Sequence, residues 1–212
     1  MRKLVFIGLW LLSSYGFAEP LSLKQSLQEI ETSWAKTHYG LPEDKQLAAY
    51  LPLIDKAEQL LAQYPHNTEV MFCIAMIKSS MAAHENPARA LAIVNEVRDL
   101  LTKVVTINPN TMQGSAYVIL GTLYYRVPSW PISFGDKRQA EEMLTTALRI
   151  HPEGIDTNYF YGQFLLDNNQ RKEARHYFKK ALDVPLRPEQ RYADEQLKNE
   201  ARQALDKLEQ QG

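Results

Sequence analysis

Four prolines divide this 212-residue chain at intervals that match pairs of helices. Pro65, Pro109, Pro152 and Pro185 are separated by 44, 43 and 33 residues. Each of them follows a stretch in which apolar residues recur every three or four positions, and each precedes another such stretch. Proline ends a helix because it has no N–H group and its ring clashes with the preceding turn. The spacing therefore predicts a series of helical units of similar length.

The apolar pattern between these prolines is that of amphipathic helices. In residues 170–183, for example, Ala174, Tyr177, Phe178 and Ala181 fall on one face of a helix. No stretch alternates apolar and polar residues for long, and the chain has no Asn-Gly hairpin dipeptide. The sequence therefore predicts an all-α protein built from repeated helical units.

One unit carries the packing residues of a known family. Within residues 155–188, the small Gly162 and Ala174 occur together with the bulky Tyr161 and Phe178. In these packing positions the segment resembles a single tetratricopeptide repeat, a helix-turn-helix unit of about 34 residues. The resemblance implies that a small residue lets two helices approach while a bulky one fills the space beside it. Further matching positions are Leu165, Ala181 and, one place early, Pro185.

The same register extends upstream of this unit. It covers residues 114–154, residues 68–111 with more divergence, and residues 44–66 as the second helix of an earlier unit. A leading helix is predicted over residues 21–36, and a capping helix with one apolar seam over residues 189–210. The resemblance thus implies a tetratricopeptide-like helical-hairpin superhelix with about three divergent repeats plus leading and capping helices.

Residues 127–135, which we name the elbow, interrupt the pattern with two prolines and two aromatic residues. With Gly121 aligned on the family, the next helix begins seven residues late, so the elbow is an insertion within one repeat. Its apolar composition predicts an ordered loop, with Trp130 or Phe134 packed near the end of helix 115–126. A structural role is the favoured interpretation, and direct contact with a partner is the alternative.

Residues 1–18 have the order of a cleavable export signal. A basic start is followed by nine apolar residues, and Ala18 precedes the expected cut before Glu19. The apolar run is shorter than the roughly 20 residues that a membrane span needs. No cysteine comes directly after this run, which argues against a lipid anchor. We therefore expect a mature chain of residues 19–212 in the periplasm or outside the cell, with no transmembrane segment.

Charge and motif content exclude several classes of function. Without the signal, the chain has 22 basic and 25 acidic residues, unlike the strongly basic nucleic-acid binders. The single cysteine, Cys73, lies in an apolar stretch and is predicted to be a buried, inert thiol. The five histidines show no metal-ligand spacing, and no HExxH, CxxC, GxSxG or phosphate-binding motif occurs. We expect no catalytic residue, no metal and no cofactor.

The family resemblance also implies a binding surface. In tetratricopeptide repeats the first helix of each pair lines a concave groove. The positions that correspond here, with Trp130 of the elbow added as a contact, are Met76, Tyr125, Arg126, Asp156, Tyr159, Gln163 and Trp130. Neighbouring groove positions are Glu69, Phe72, Ser79, Ser80, Ser115, Val118, Thr122, Leu166 and Asp167.

Two functions fit such a chain. The resemblance favours an exported, non-enzymatic scaffold or adaptor that binds another protein or an extended peptide in the concave groove. The alternative is a small-molecule binding component of a periplasmic uptake system, because some exported proteins of this type enclose an apolar ligand. Those relatives are usually lipid-anchored. An enclosed apolar cavity would favour the alternative, and an open groove with an aromatic rim would favour the scaffold.

Overall fold

A computed structural model describes residues 22–210, which form nine α-helices and contain no β-strand. The expected signal at residues 1–18 lies outside the described residues. The helices pair in chain order as hairpins, α1 with α2, α3 with α4, α5 with α6 and α7 with α8, and α9 follows the last pair. The predicted all-α helical-hairpin architecture is confirmed. The bounds are Leu23–Gly40 (α1), Glu43–Gln63 (α2), Thr68–Ala82 (α3), Pro87–Ile107 (α4), Ser115–Arg126 (α5), Lys137–Ile150 (α6), Ile155–Asp167 (α7), Arg171–Asp183 (α8) and Arg191–Gln210 (α9).

Local side chains set the limits of these helices. Asn67, Asn86 and Asp136 are the N-cap residues of α3, α4 and α6, and each side chain accepts a hydrogen bond from a backbone N–H of the first turn. Such caps satisfy donors that the helix itself leaves free. The prolines that divide the sequence lie in the loops just after α2, α4, α6 and α8, at positions 65, 109, 152 and 185.

The hairpins pack through small residues placed opposite large ones. A Cβ atom on Gly162 would lie 2.8 Å from Cε1 of Phe178, and one on Gly121 would lie 2.6 Å from Cγ of Leu144. Real Cβ contacts are not this short, so both positions need glycine. Ala174 is fully buried in the same hairpin as Phe178. The predicted contact between α7 and α8 is confirmed.

The row of hairpins closes into a ring. Helix α9 packs against α7 and α8 and also against α1, so the last helix meets the first. Across this closure, the Gln190 amide donates a hydrogen bond to Oε2 of Glu31 at 2.7 Å, and the Gln28 amide donates one to the carbonyl oxygen of Glu189. The first helix of each hairpin, together with α9, therefore borders an internal space that is partly open to solvent.

The elbow is an ordered loop. The N–H of Gly135 donates to the carbonyl oxygen of Pro128 at 3.0 Å, which brings the two ends of the elbow together. A Cβ atom on Gly135 would lie 2.1 Å from the carbonyl oxygen of Val127. Only glycine fits at this close approach of two backbone segments. The elbow therefore enters and leaves the repeat at nearly the same point.

The elbow has a packed side and an exposed side. The Phe134 ring meets the Tyr124 ring edge-on, with centroids 5.5 Å apart, and the Arg98 guanidinium lies 4.5 Å from the Phe134 centroid. Trp130 and Ile132 are instead 86% and 69% exposed. Phe134 thus provides the expected packing near the end of α5, whereas Trp130 faces solvent.

This division predicts opposite behaviour for two aromatic residues of the elbow. Phe134→Ala should lower the free energy of unfolding by about 1–2 kcal/mol, because an edge-on aromatic pair and a cation–π contact are lost. Trp130→Ala should change it by less than about 0.5 kcal/mol, as is usual for exposed side chains. Urea unfolding followed by circular dichroism measures both variants. A larger loss for Trp130→Ala would contradict this assignment of roles.

Candidate functional site

The space inside the ring is a cavity of about 610 Å³. This volume lies within the roughly 300–1,000 Å³ that is typical of ligand pockets. Its walls come mainly from α1, α3, α5, α7 and α9 and from the segment between α8 and α9, and α2 also contributes to them. The apolar side chains in these walls include Phe72, Met76, Val118, Ile119, Phe160 and Leu197.

One end of the cavity is aromatic and is built mainly by α1. The rings of Trp34 and His38, one helical turn apart, stack with centroids 5.1 Å apart. The indole N–H of Trp34 donates to Oγ of Ser80 at 2.9 Å, and Nδ1 of His38 lies 3.0 Å from the hydroxyl oxygen of the buried Tyr50. Burial lowers the pKa of His38, which favours its neutral form at neutral pH. These contacts hold the two rings at fixed positions on the wall.

Two carboxyl groups border the cavity near Arg187: Glu31 on α1 and Asp156 on α7. Asp156 is 9% exposed; its Oδ2 accepts a hydrogen bond from Oγ of Ser115 at 2.6 Å. Its Oδ1 has no hydrogen-bond partner within the described part of the chain. Burial raises the pKa of Glu31, although the hydrogen bond from Gln190 and the charge of Arg187 oppose this effect. One buried and one half-buried carboxyl group therefore border the cavity.

Arg187 lines the cavity beside these carboxyl groups but is already paired. Its Nε atom lies 3.2 Å from Oδ1 and 3.1 Å from Oδ2 of Asp194, and its backbone N–H donates to Oδ2 at 2.8 Å. Asp194 is fully buried in the first turn of α9, where the helix dipole favours a negative charge. The ion pair ties the segment between α8 and α9 to the start of α9, next to the closure of the ring.

A strained turn precedes α5, directly before Ser115, which donates a hydrogen bond to Asp156. Met112, Gln113 and Gly114 have φ values of 48°, 53° and 86°, and Met112 lines the cavity. For the two residues other than glycine, this left-handed backbone costs roughly 1–2 kcal/mol each. Strain of this kind is often found at functional sites.

The structure brings part of the groove expected from the family resemblance to this cavity. Met76 and Asp156 line it. So do the neighbouring groove positions Phe72, Ser79, Ser80, Ser115, Val118 and Thr122.

The other expected groove residues lie elsewhere. Gln163 donates a hydrogen bond to the hydroxyl of the buried Tyr159 at 3.0 Å, and Arg126 lies over the Tyr125 ring at 4.9 Å from its centroid. Burial raises the pKa of Tyr159, and a hydrogen bond to a carboxylate of α9 adds to this effect. These four residues form a polar group outside the cavity lining. Trp130 lies on the exposed side of the elbow and borders a surface groove together with Asn95 and Arg98 of α4.

Family positions do not reveal the residues that α1 and the α8–α9 segment contribute. Trp34, His38, Tyr39 and Arg187 all line the cavity. The family positions used to place the groove begin only at α3, and contacts across the ring join distant parts of the chain. The one local signal is the spacing of Trp34 and His38, which puts two rings on the same face of a predicted helix.

Residues 22–210 offer no basis for a membrane span or a metal centre. No helix in this range has the length and hydropathy to span a membrane, and no three His, Cys, Asp or Glu side chains form a group that could hold a metal ion. Cys73 is free and buried, and burial raises the pKa of its thiol well above the ordinary value. The prediction of a buried, unreactive thiol fits this position.

Comparison with solved structures supports the fold described above. No family model matches the chain, and no curated protein matches its sequence. The structure is similar to that of a thermophilic tetratricopeptide repeat protein from Thermus thermophilus, with a TM-score of 0.60, 18% identity, and coverage of 86% of this chain and 84% of that one. A match to the MamA protein (TM-score 0.44, 15% identity, 88% and 91% covered) is too distant to support a conclusion. The chain therefore has a tetratricopeptide-like fold, as the resemblance of its repeats predicts.

Proposed function

We propose that the protein is a non-enzymatic binding protein that holds an apolar ligand in the cavity inside the ring. The observation that carries this proposal is the packing of α9 against α1. This contact makes the concave face of the hairpins the wall of a cavity. A small ligand fits the volume of about 610 Å³.

A neutral apolar fluorophore, N-phenyl-1-naphthylamine, tests this proposal. We expect it to bind with one-to-one stoichiometry and increased fluorescence. Ile119→Trp should weaken binding by about tenfold or more, equivalent to 1.4 kcal/mol, because the larger side chain occupies part of the cavity. Ile132→Trp adds the same group on the exposed elbow and should leave binding unchanged. Absence of binding, or equal effects of the two variants, would show that the cavity is not the site.

A second candidate function is the binding of a protein partner by the elbow. Its exposed Trp130 and Ile132 border a surface groove of about 450 Å³, together with Arg98 and Asn95 of α4. Tryptophan and arginine are common anchors in protein interfaces. A partner that wild-type protein retains from a periplasmic extract, and that Trp130→Ala loses without a change in stability, would support this candidate. If wild-type protein and Trp130→Ala retain the partner equally well, the elbow is not its binding site.

We also propose that the protein is exported and that its mature form begins at Glu19. The support is the sequence of residues 1–18 alone, with its basic start, apolar run and small residue before the cut. Mass spectrometry of the protein isolated from its native cells should give the mass of residues 19–212. Detection of an intact Met1, or recovery from the cytoplasm, would contradict export.

A further inference from the structure

The charged side chains around the cavity indicate which sign of charge its ligand would carry. Among the described residues that line it are four carboxylic acids, one arginine and no lysine. The arginine, Arg187, forms an ion pair with the buried Asp194. The wall therefore presents an excess of negative charge to whatever binds inside. The four acids are Glu31, Glu43, Asp156 and Glu189.

Aromatic side chains line the same space. Rings are contributed by α1, α3, α7 and α9, so they come from several directions around the cavity. The face of an aromatic ring attracts an ammonium group within about 6 Å, and quaternary ammonium ligands are commonly held between such faces. The aromatic lining residues are Trp34, Tyr39, Phe72, Phe160 and Tyr192.

The buried carboxyl group of Asp156 marks where the charge of the ligand would lie. Asp156 is nine-tenths buried and lines the cavity, yet only its Oδ2 has a hydrogen-bond partner, the Ser115 hydroxyl, in the part of the chain that the structure describes. Burial of a charge costs free energy unless it is paired or fully hydrogen-bonded. Burial also raises the pKa of the nearby Glu31 carboxyl group. A cation near Glu31 would stabilise the ionised form of its carboxyl group.

We propose that the cavity selects a hydrophobic organic cation, in which an amine or quaternary ammonium group is attached to an apolar chain or ring. The inference rests on the proposed function and specifies its ligand. The apolar body contacts Met76, Val118 and Ile119, and the ammonium group lies near Asp156 and Glu31. A carboxylate ligand is disfavoured, because it would have to compete with Asp194 for Arg187.

Three probes with the same eight-carbon chain test this selectivity: octyltrimethylammonium, 1-octanol and octanoate. Isothermal titration calorimetry of the mature chain, below the micelle concentrations and at pH 8, measures each affinity. This pH lies above the ordinary histidine pKa of about 6.5. We expect the cation to bind about tenfold or more tighter than octanol, because an opposite charge near a buried carboxylate shifts equilibria by at least this factor. Octanoate should bind weakest.

Variants locate the charge recognition. Asp156→Asn should weaken cation binding by about tenfold and leave octanol binding unchanged. Glu31→Gln provides a second variant if Asp156→Asn proves unstable. Glu141→Gln removes an exposed carboxylate from α6 and should alter neither affinity; an equal loss in this control would mean that the cation is held by the net charge of the surface, contrary to the proposal.

The outcomes distinguish failure of cation selectivity from failure of the proposed apolar site. If octanol and the cation bind equally well, or octanoate binds best, cation selectivity is wrong while the apolar cavity site stands. If none of the probes and no neutral fluorophore binds, the proposed function itself fails. The cation could also bind more tightly than octanol and yet bind equally well to Asp156→Asn and Glu31→Gln. This result would overturn the proposal, because the charge would then be recognised elsewhere.

Discussion

Arg187→Met is expected to lower the free energy of unfolding by roughly 3–5 kcal/mol, because it leaves a buried carboxylate without its partner. Asp194 is fully buried, and the Arg187 side chain and backbone donate hydrogen bonds to both of its oxygens. Methionine keeps much of the length of arginine but provides neither the charge nor the donors. Urea unfolding followed by circular dichroism gives the free energy.

A nearby arginine provides the matched control. Nε of Arg191 lies 2.9 Å from Oε1 of Glu195 on the surface of α9, and the Arg191 side chain is 71% exposed. Exposed ion pairs contribute about 0–1 kcal/mol, so Arg191→Met should have a small effect. The double variant Arg187→Met/Asp194→Leu should recover much of the loss, because an apolar pair can replace a buried ion pair. If Arg187→Met and Arg191→Met lower the free energy of unfolding equally, the burial of Asp194 does not account for the loss.

Gly162→Leu should have the second largest effect, a loss of about 3 kcal/mol, because overpacking a core contact typically costs roughly 1–3 kcal/mol. Even a Cβ atom at this position would lie 2.8 Å and 2.9 Å from two carbons of the Phe178 ring, and leucine adds three more carbons. Phe178 is fully buried, so it cannot move aside without displacing its neighbours. The expected loss therefore lies at the upper end of that range.

The control for this substitution is Glu142→Ala on the exposed face of α6. Its expected effect is below about 0.5 kcal/mol, because a solvated side chain is removed from a helix that tolerates alanine well. Thermal unfolding of both variants tests the register of the repeats. Similar melting shifts would argue that Gly162 does not lie at the closest approach of α7 and α8.

Local patterns were sufficient to predict the hairpins. The prolines after the helices and the pairing of Gly162 with Phe178 depend on residues that are close in sequence or lie within one repeat. Closure of the ring depends on contacts such as that of Gln28 with Glu189, which are 161 residues apart. No periodicity encodes a contact of this kind. For this reason the repeat positions predicted the concave face, whereas the contribution of α1 and α9 to its walls became visible only in three dimensions.

The elbow shows a similar limit at shorter range. Its composition predicts an ordered apolar loop, and Phe134 and Gly135 account for the order. Composition does not distinguish which aromatic side chain turns inward. That choice depends on Tyr124 and Arg98, which belong to two different helices and contact the Phe134 ring. Trp130 is therefore exposed despite its size.

The contact of α9 with α1 changes the thermodynamics expected of a repeat protein. In an open array each unit touches only its neighbours, so stability is nearly a sum of local terms and the terminal units can fray independently. Here the terminal helices are neighbours as well, and separating them exposes surface on both. Unfolding should then be more cooperative than in a linear array of equal length. The high sequence separation of these contacts should also slow folding, because the chain must bring its distant ends together before they gain stabilising contacts.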